Sequence, residues 1–190
     1  MASTDSPSYL TRFPGRREPL LEILEQFAAS RLRARVGATA LRADLRFPDS
    51  SVDALVSALA RLDRVPVREV LHDFGRFIAA TLLLPRAARQ PAWRTLEVLG
   101  HLDDILSAGG GTLRLPANCV RTGMDEILLS YGRGRHWCAL TRGLAEAVAE
   151  HFGERVEFVE PSCLNHSAPQ CRLFIRRAVV KRENSREVCA

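Results

Sequence analysis

The chain has 190 residues, of which 46% are apolar and 26% are charged. These values are ordinary for a soluble globular protein with a substantial core, in one domain or two tightly joined halves, and they exclude an intrinsically disordered chain. No apolar run approaches the ~20 residues that a helix needs to cross a bilayer, so a membrane-spanning protein is not expected.

The charge pattern argues against a nucleic-acid partner. The formal net charge is +5, and Lys181 is the single lysine among 27 basic residues. The arginines are scattered and do not form a stripe with interleaved aromatic residues. The N-terminus lacks the apolar segment of a secretory signal, and the five cysteines do not suggest a disulfide framework. We therefore expect a cytoplasmic protein with reduced thiols, beginning with a flexible leader over residues 1–17.

The first half of the chain has helical periodicity throughout. Apolar residues at helical spacing predict helices over residues 18–36, 52–62, 67–84 and 92–108. Pro85 is expected to end the third helix. Gly75 lies inside that helix at a cost of about 1 kcal/mol relative to Ala. Close packing against a partner helix or a ligand would explain this glycine, and so would a loose helix.

The second half changes to a strand-like pattern after three consecutive glycines at 109–111. Strands are predicted over residues 112–120, 126–135, 156–160 and 171–177, with a helix from Cys138 to Phe152. The sequence therefore predicts an α+β fold in which a helical half packs on a ββαββ half with an antiparallel sheet. The expected divisions are the leader, a helical subdomain over 18–108, an α+β subdomain over 109–178 and a polar tail over 179–190.

One predicted strand ends in a group of polar side chains suited to carboxylates. Tyr131, Arg133 and Arg135 alternate with Gly132 and Gly134, so on a strand the three would share one face. A guanidinium matches a carboxylate with two parallel hydrogen bonds, and a phenol adds a neutral donor. A solvated strand end before a turn is the simpler alternative.

The order of these elements resembles the haem–nitric-oxide-binding (H-NOX) family of gas-sensor domains, as a divergent bacterial member. That family carries Tyr-x-Ser-x-Arg on a strand, followed by a helix with a Gly-Leu pair, matched here by Tyr131, Arg133, Arg135 and Gly143-Leu144. Arg133 replaces the serine. The resemblance extends upstream to about Leu20, and 4-vinyl-reductase-like domains share its C-terminal half. It implies a haem-dependent sensor of NO or O2 whose haem carboxylates are held by Tyr131 and Arg135, and which signals through a partner protein.

The family's axial haem ligand is a histidine on the helix before the strand motif, and two alignments of that helix are open. One places Leu106 at the ligand position, and leucine cannot coordinate iron. The other makes His101 the ligand. Residues five apart differ by roughly 140° around a helix, so the two alignments place the ligand on different faces. The first alignment favours a haem-free module of the same fold that binds a small hydrophobic molecule or a protein.

A second set of residues has the composition of a metal site. Cys163, His166 and Cys171 lie in the short connection between two predicted strands, and Cys138 begins the helix expected beside them. Three thiolates and one imidazole form a closed tetrahedral zinc site, and a helix N-terminus is expected to lower the pKa of the Cys138 thiol. Some bacterial H-NOX-like proteins resemble this arrangement and hold structural zinc. A redox pair of Cys163 and Cys171, or inert thiols, are the alternatives.

Catalytic patterns are missing from the sequence. Asp103 and Asp104 are adjacent, so they cannot converge on one helix face as paired carboxylates. Neither common glycine-rich phosphate loop is present. We therefore expect a sensory or regulatory domain and not an enzyme.

Overall fold

The computed structural model describes residues 19–36, 52–107, 118–131 and 136–178. The first half contains helices α1 (Pro19–Val36), α2 (Val52–Asp63), α3 (Val67–Ile78), a π-helical segment (Ala79–Leu83), α4 (Leu84–Ala87), α5 (Thr95–Gly100) and α6 (Leu102–Ser107). The second half contains β1 (Asn118–Gly123), β2 (Glu126–Tyr131), α7 (Trp137–His151), β3 (Val156–Ser162), a 3-10 turn (Leu164–His166) and β4 (Cys171–Arg177). None of the helices within these ranges is long and apolar enough to span a membrane.

The four strands form one antiparallel sheet in the order β1-β2-β4-β3. Alternation along β2 and β4 buries one face of the sheet, where Ile127, Leu129, Leu173 and Ile175 join the core. Helix α7 supplies the apolar side chains of the same core, Leu140, Leu144 and Val148. The predicted α+β fold with a ββαββ half is confirmed.

Two predicted helices are interrupted. The helix expected over 67–84 widens into the π-helical segment and continues as α4, so Pro85 does not end it. Pro85 lies instead in the first turn of α4, where a missing backbone N–H costs little. The helix expected over 92–108 begins only at Thr95 and breaks at His101, whose backbone (φ −102°, ψ 21°) leaves the helical region. The side chain of Glu97 accepts a hydrogen bond from the Arg94 N–H at 3.1 Å, which fixes this later start.

Helices α3 and α7 approach each other through two glycines. A Cβ atom added to Gly75 would lie 2.0 Å from the carbonyl oxygen of Leu140, and one added to Gly143 would lie 2.0 Å from that of His72. Ion pairs continue the same contact on the surface: His72 Nε2 lies 2.8 Å from Glu146, and Arg76 pairs with Glu150 at 2.6 Å. Close packing against a partner helix therefore explains the glycine inside α3.

We expect the substitutions Gly75→Ala and Gly143→Ala to destabilise the protein, although alanine favours a helix by about 1 kcal/mol. Each added methyl group would meet backbone atoms that cannot move independently, and overpacking of this kind costs about 1–3 kcal/mol. A protein of this size loses about 2–4 °C in Tm for each kcal/mol. Thermal unfolding followed by circular dichroism measures the change.

Gly100→Ala is the matched control, because among the described residues nothing outside its chain neighbours and its own helix backbone lies within 4 Å of the position that its Cβ would take. Its Tm should stay close to that of the unsubstituted protein. Full stability in both Gly75→Ala and Gly143→Ala would contradict the close helix contact.

Candidate metal centre

Three cysteines meet on the inner face of the sheet, beside the start of α7. Cys138 lies in the first turn of α7, Cys163 directly follows β3, and Cys171 is the first residue of β4. Because Tyr131 pairs with Cys171, the three cysteines lie at the end of the sheet where β2 ends and β4 begins. The structure therefore brings together all three cysteines of the predicted metal site.

A β-bulge adds a carboxylate to this group. Val159 pairs with Phe174 and Ser162 with Arg172, so three steps along β3 match two steps along β4. The extra residue changes the phase of the strand, which lets Glu160 and Cys163 share the inner face although they are three residues apart. Pro161 lies inside the bulge of this edge strand, a position that proline tolerates.

The distances between the four side chains suit a tetrahedral metal ion. Sγ of Cys163 lies 3.9 Å from Sγ of Cys138 and 3.7 Å from Sγ of Cys171. One ligand atom from each of the three cysteines and one from Glu160 all lie within 4.8 Å of one another. Thiolates about 2.3 Å from a tetrahedral ion are about 3.8 Å apart. The four atoms thus have the spacing of a zinc site with three thiolates and one carboxylate.

Nitrogen donors point at the sulfurs from the turn after β3. The backbone N–H of Leu164 donates to Sγ of Cys171 at 3.1 Å. The side-chain amide of Asn165 donates to Sγ of Cys163 at 3.5 Å and to Sγ of Cys138 at 3.6 Å. Such donors stabilise negative charge on sulfur and orient the ligands of a metal site. The sequence pattern had not indicated Asn165 as a residue that supports the metal ligands.

Burial opposes the charge that a metal would require of these thiols. Burial, together with the neighbouring Glu160 and Cys163, raises the pKa of Cys138 to about 12. Burial also raises the pKa of Cys171, while the Leu164 N–H acts in the opposite direction. The expected lowering at the start of α7 is therefore outweighed by desolvation and neighbouring negative charge. A bound cation would favour the thiolate forms of all three residues.

His166 lies outside this group. It ends the 3-10 turn, its side chain is exposed, and it is not among the four residues whose ligand atoms converge. Glu160 occupies the fourth position instead. Its Oε2 lies 3.6 Å from Arg142, and its Oε1 is buried without a hydrogen-bond partner among the described residues. A buried carboxylate oxygen with no partner is a suitable ligand atom for a cation.

Tyr131 is the described part of the strand motif, since residues 132–135, including Arg133 and Arg135, lie outside the described ranges. Its side chain is buried, and its hydroxyl has no hydrogen-bond partner within those ranges. The nearby hydroxyl of Thr141 donates instead to the carbonyl of Trp137 at 3.1 Å. Burial raises the pKa of Tyr131, so the phenol keeps its proton and can donate a hydrogen bond.

The two rival axial positions have opposite environments. His101 is exposed, stacks on Trp93 with ring centroids 4.8 Å apart, and lies 3.2 Å from Asp104. Leu106, on α6, is buried in the hydrophobic core of the protein. The guanidinium of Arg86 donates to the carbonyl of Ile105, which ties α4 to the same turn of α6. The position inside the core therefore belongs to a leucine, and the histidine faces outward.

The other four histidines are also at or near the surface. His72 pairs with Glu146 between α3 and α7, and His136 precedes α7 and is half-buried. His151 and His166 are exposed. These and His101 are all five histidines of the chain, and all lie within the described ranges. No histidine is presented to the core in this structure.

Comparison with known proteins gives matches in structure only. No protein-family model matches the sequence, and no curated protein matches it. An H-NOX protein from S. oneidensis in the Fe(II)NO state is similar with a TM-score of 0.60 at 18% identity, covering 84% of this chain and 97% of that chain.

Two further H-NOX structures give similar results. The domain from Shewanella woodyi in the Fe(II)CO state has a TM-score of 0.54 at 22% identity, covering 87% of this chain and 94% of that chain. An unliganded Fe(II) H-NOX mutant from K. algicida has a TM-score of 0.61 at 12% identity, covering 82% and 95%. The order of helices, the antiparallel sheet and these matches together show that the chain has the H-NOX fold.

Proposed function

We propose that this chain is a regulatory domain of the H-NOX fold that binds zinc at Cys138, Cys163, Cys171 and Glu160 and acts through contact with other proteins. The convergence of three buried sulfurs and one half-buried carboxylate within 4.8 Å carries the metal assignment. Zinc would supply a positive charge and a fixed tetrahedral geometry. The four ligands would then join the start of α7 to the connection between β3 and β4.

This centre is suited to a structural role. Three of its ligands are buried, and the two turns that carry Cys138 and Cys163 are held by amide donors from Asn165. A closed site of four protein ligands stabilises a fold, whereas a catalytic zinc site keeps a position for water or substrate. The Tyr131 hydroxyl, on the residue that pairs with Cys171, stays protonated and does not compete for the ion.

A haem held by an axial histidine does not fit the described residues. His101 is stacked on Trp93 and paired with Asp104 at the surface, and the inward position is held by Leu106. Turning His101 inward would require the loss of both surface contacts. The proposed function therefore does not involve haem.

A second candidate function, gas sensing with haem, is favoured by one observation. The buried hydroxyl of Tyr131 has no partner in the described part of the chain, and Arg133 and Arg135 follow this residue in the sequence. A ligand carboxylate would satisfy that hydroxyl. This candidate would hold haem by its carboxylates, respond to a small gas such as NO or O2, and pass the signal to a partner protein.

Replacing Cys171 with Ser should release the metal, because the variant lacks one thiolate and a buried hydroxyl is a poor ligand. Elemental analysis of the purified protein should show stoichiometric zinc in the unsubstituted chain and far less in the variant. The Tm should fall as well, since zinc binding is coupled to folding. Cys189→Ser, in the tail outside the described residues, should change neither. Absence of zinc from the unsubstituted protein would refute the assignment.

The identity of the fourth ligand is tested by a pair of variants. Glu160→Gln should weaken zinc affinity by about 10–100-fold or more, the range seen on loss of a supporting group around a metal. His166→Ala should leave it unchanged, because that imidazole is exposed and outside the convergent group. Competition with a chelator measures both affinities. If His166→Ala weakened zinc affinity and Glu160→Gln did not, the fourth ligand would be His166.

Reconstitution with haem separates the two functions. The proposal without haem expects no Soret band of a histidine-ligated haem after reconstitution, and an unchanged absorption spectrum in His101→Ala. If haem binds with a carboxylate at Tyr131, Tyr131→Phe should weaken haem retention, because it removes the hydroxyl that would donate to that carboxylate. A Soret band in the unsubstituted protein that is lost in His101→Ala would show that the histidine turns inward and would overturn the haem-free proposal.

A further inference from the structure

The outer face of the sheet, opposite α7, has an apolar row across its centre. Val120, Leu128, Phe174 and Val159, one from each strand, are directly paired: Val120 with Leu128, Leu128 with Phe174, and Phe174 with Val159. The two ends of the row, Val120 and Val159, are 47% and 43% exposed, and the two central side chains are half-buried. A continuous apolar strip on a strand face marks a contact surface more often than scattered apolar residues do.

Polar rows border this strip on both sides. On one side Arg176 pairs in register with Glu126 of β2 and Glu157 of β3, and it forms an ion pair with Glu126. On the other side Ser130 pairs with Arg172. The outer face thus has an apolar centre and a charged edge, the arrangement of a protein–protein interface with a polar rim.

We propose that this outer face is the contact surface between two copies of the chain, stacked sheet on sheet about a two-fold axis parallel to the strands. Under that rotation β1 of one copy lies opposite β3 of the second copy, and β2 lies opposite β4. Each row keeps its position along the strands and therefore faces the same row of the second copy. Leu128 then faces Phe174 of the second copy, and Val120 faces Val159 of the second copy. Face-to-face sheets pack in this way with their strands nearly aligned.

Charge selects this axis over the other in-plane axis. With the axis parallel to the strands, Glu126 faces Arg176 of the second copy, and the symmetric contact repeats the same attraction. With the axis perpendicular to the strands, the row that contains Arg176 faces the row that contains Arg172. Arg176 then lies opposite Arg172 of the second copy. Like charges placed together in this way are disfavoured. The face is therefore complementary to itself in one orientation, as a two-fold interface requires.

The size of the face predicts a weak dimer. Four strands about 4.8 Å apart, with about six residues each at about 3.3 Å, span roughly 20 Å by 20 Å. Stable interfaces bury about 800 Å² on each partner. The roughly 400 Å² of this face is below that value, so the dimer should be weak and its formation should depend on protein concentration. It does not depend on the metal centre, which lies on the inner face.

Sedimentation velocity over a wide range of protein concentration tests the dimer. The unsubstituted chain should shift from monomer to dimer as its concentration rises. Val159→Glu should raise the dissociation constant by about tenfold or more, since a charge in the apolar row loses about 1.4 kcal/mol or more. Leu62→Glu is the matched control, because Leu62 is a similarly exposed apolar residue on α2, and its dimerisation should equal that of the unsubstituted chain. Circular dichroism checks that each variant is folded.

A charge exchange tests the orientation. Arg176→Glu and Glu126→Arg should each dimerise poorly alone, because each would place like charges opposite one another. An equal mixture of the two variants should dimerise, since every contact between unlike chains then joins an acid and a base. The ion pair within each chain stays broken in that mixture, so recovery reports the contact between chains.

Other outcomes overturn the proposal. A monomer at every concentration excludes the second copy as occupant. If deletion of residues 179–190 then produces a dimer, the tail of the same chain covers the face. If the deleted chain stays monomeric, the face belongs to a different protein. A dimer insensitive to Val159→Glu uses another surface, and a failed mixture excludes the proposed axis.

Discussion

The two halves of the molecule are joined where α3 and α7 approach through Gly75 and Gly143. At this point the backbone of one helix occupies the space that a side chain would take on the other. The contact places the helical half directly against the helix that covers the inner face of the sheet. Both glycines are therefore required by the tertiary structure, although each weakens its own helix. The ion pairs beside them, from His72 and Arg76, extend the same contact toward solvent.

The position of α7 also determines what the candidate metal centre contains. Because α7 lies across the inner face, its first turn brings Cys138 to the end of the sheet, where β2, β3 and β4 meet. The three thiols there are buried, and the pKa values of Cys138 and Cys171 are raised, so the site is poorly suited to hold three negative sulfurs without a cation. The helix contact and the metal centre lie along one helix and would support each other.

Periodicity was sufficient for the fold and insufficient for two details of the site. Alternating apolar residues predicted the ββαββ order, because each strand buries one face. The break of the α5–α6 region at His101 was not predictable, since the apolar pattern continues through it while the surface contacts with Trp93 and Asp104 do not appear in any periodicity. Glu160 lies on the inner face by ordinary alternation with Val156 and Phe158, but Cys163 shares that face only because of the bulge, of which Pro161 was the one sign in the sequence.

That bulge decides which face of the sheet Cys163 takes. Because β3 holds one more residue than β4 in this stretch, Glu160 and Cys163 point inward while Val159 stays in the outer apolar row. The same residues in a regular ladder would turn Cys163 outward beside that row and leave the inner group with two sulfurs. Removing one residue between Glu160 and Cys163 would keep both inward, because they would then be two residues apart on a regular strand. Pro161, which cannot donate to the ladder, favours the bulged pairing, so the inner group of sulfurs depends on a residue that binds no metal.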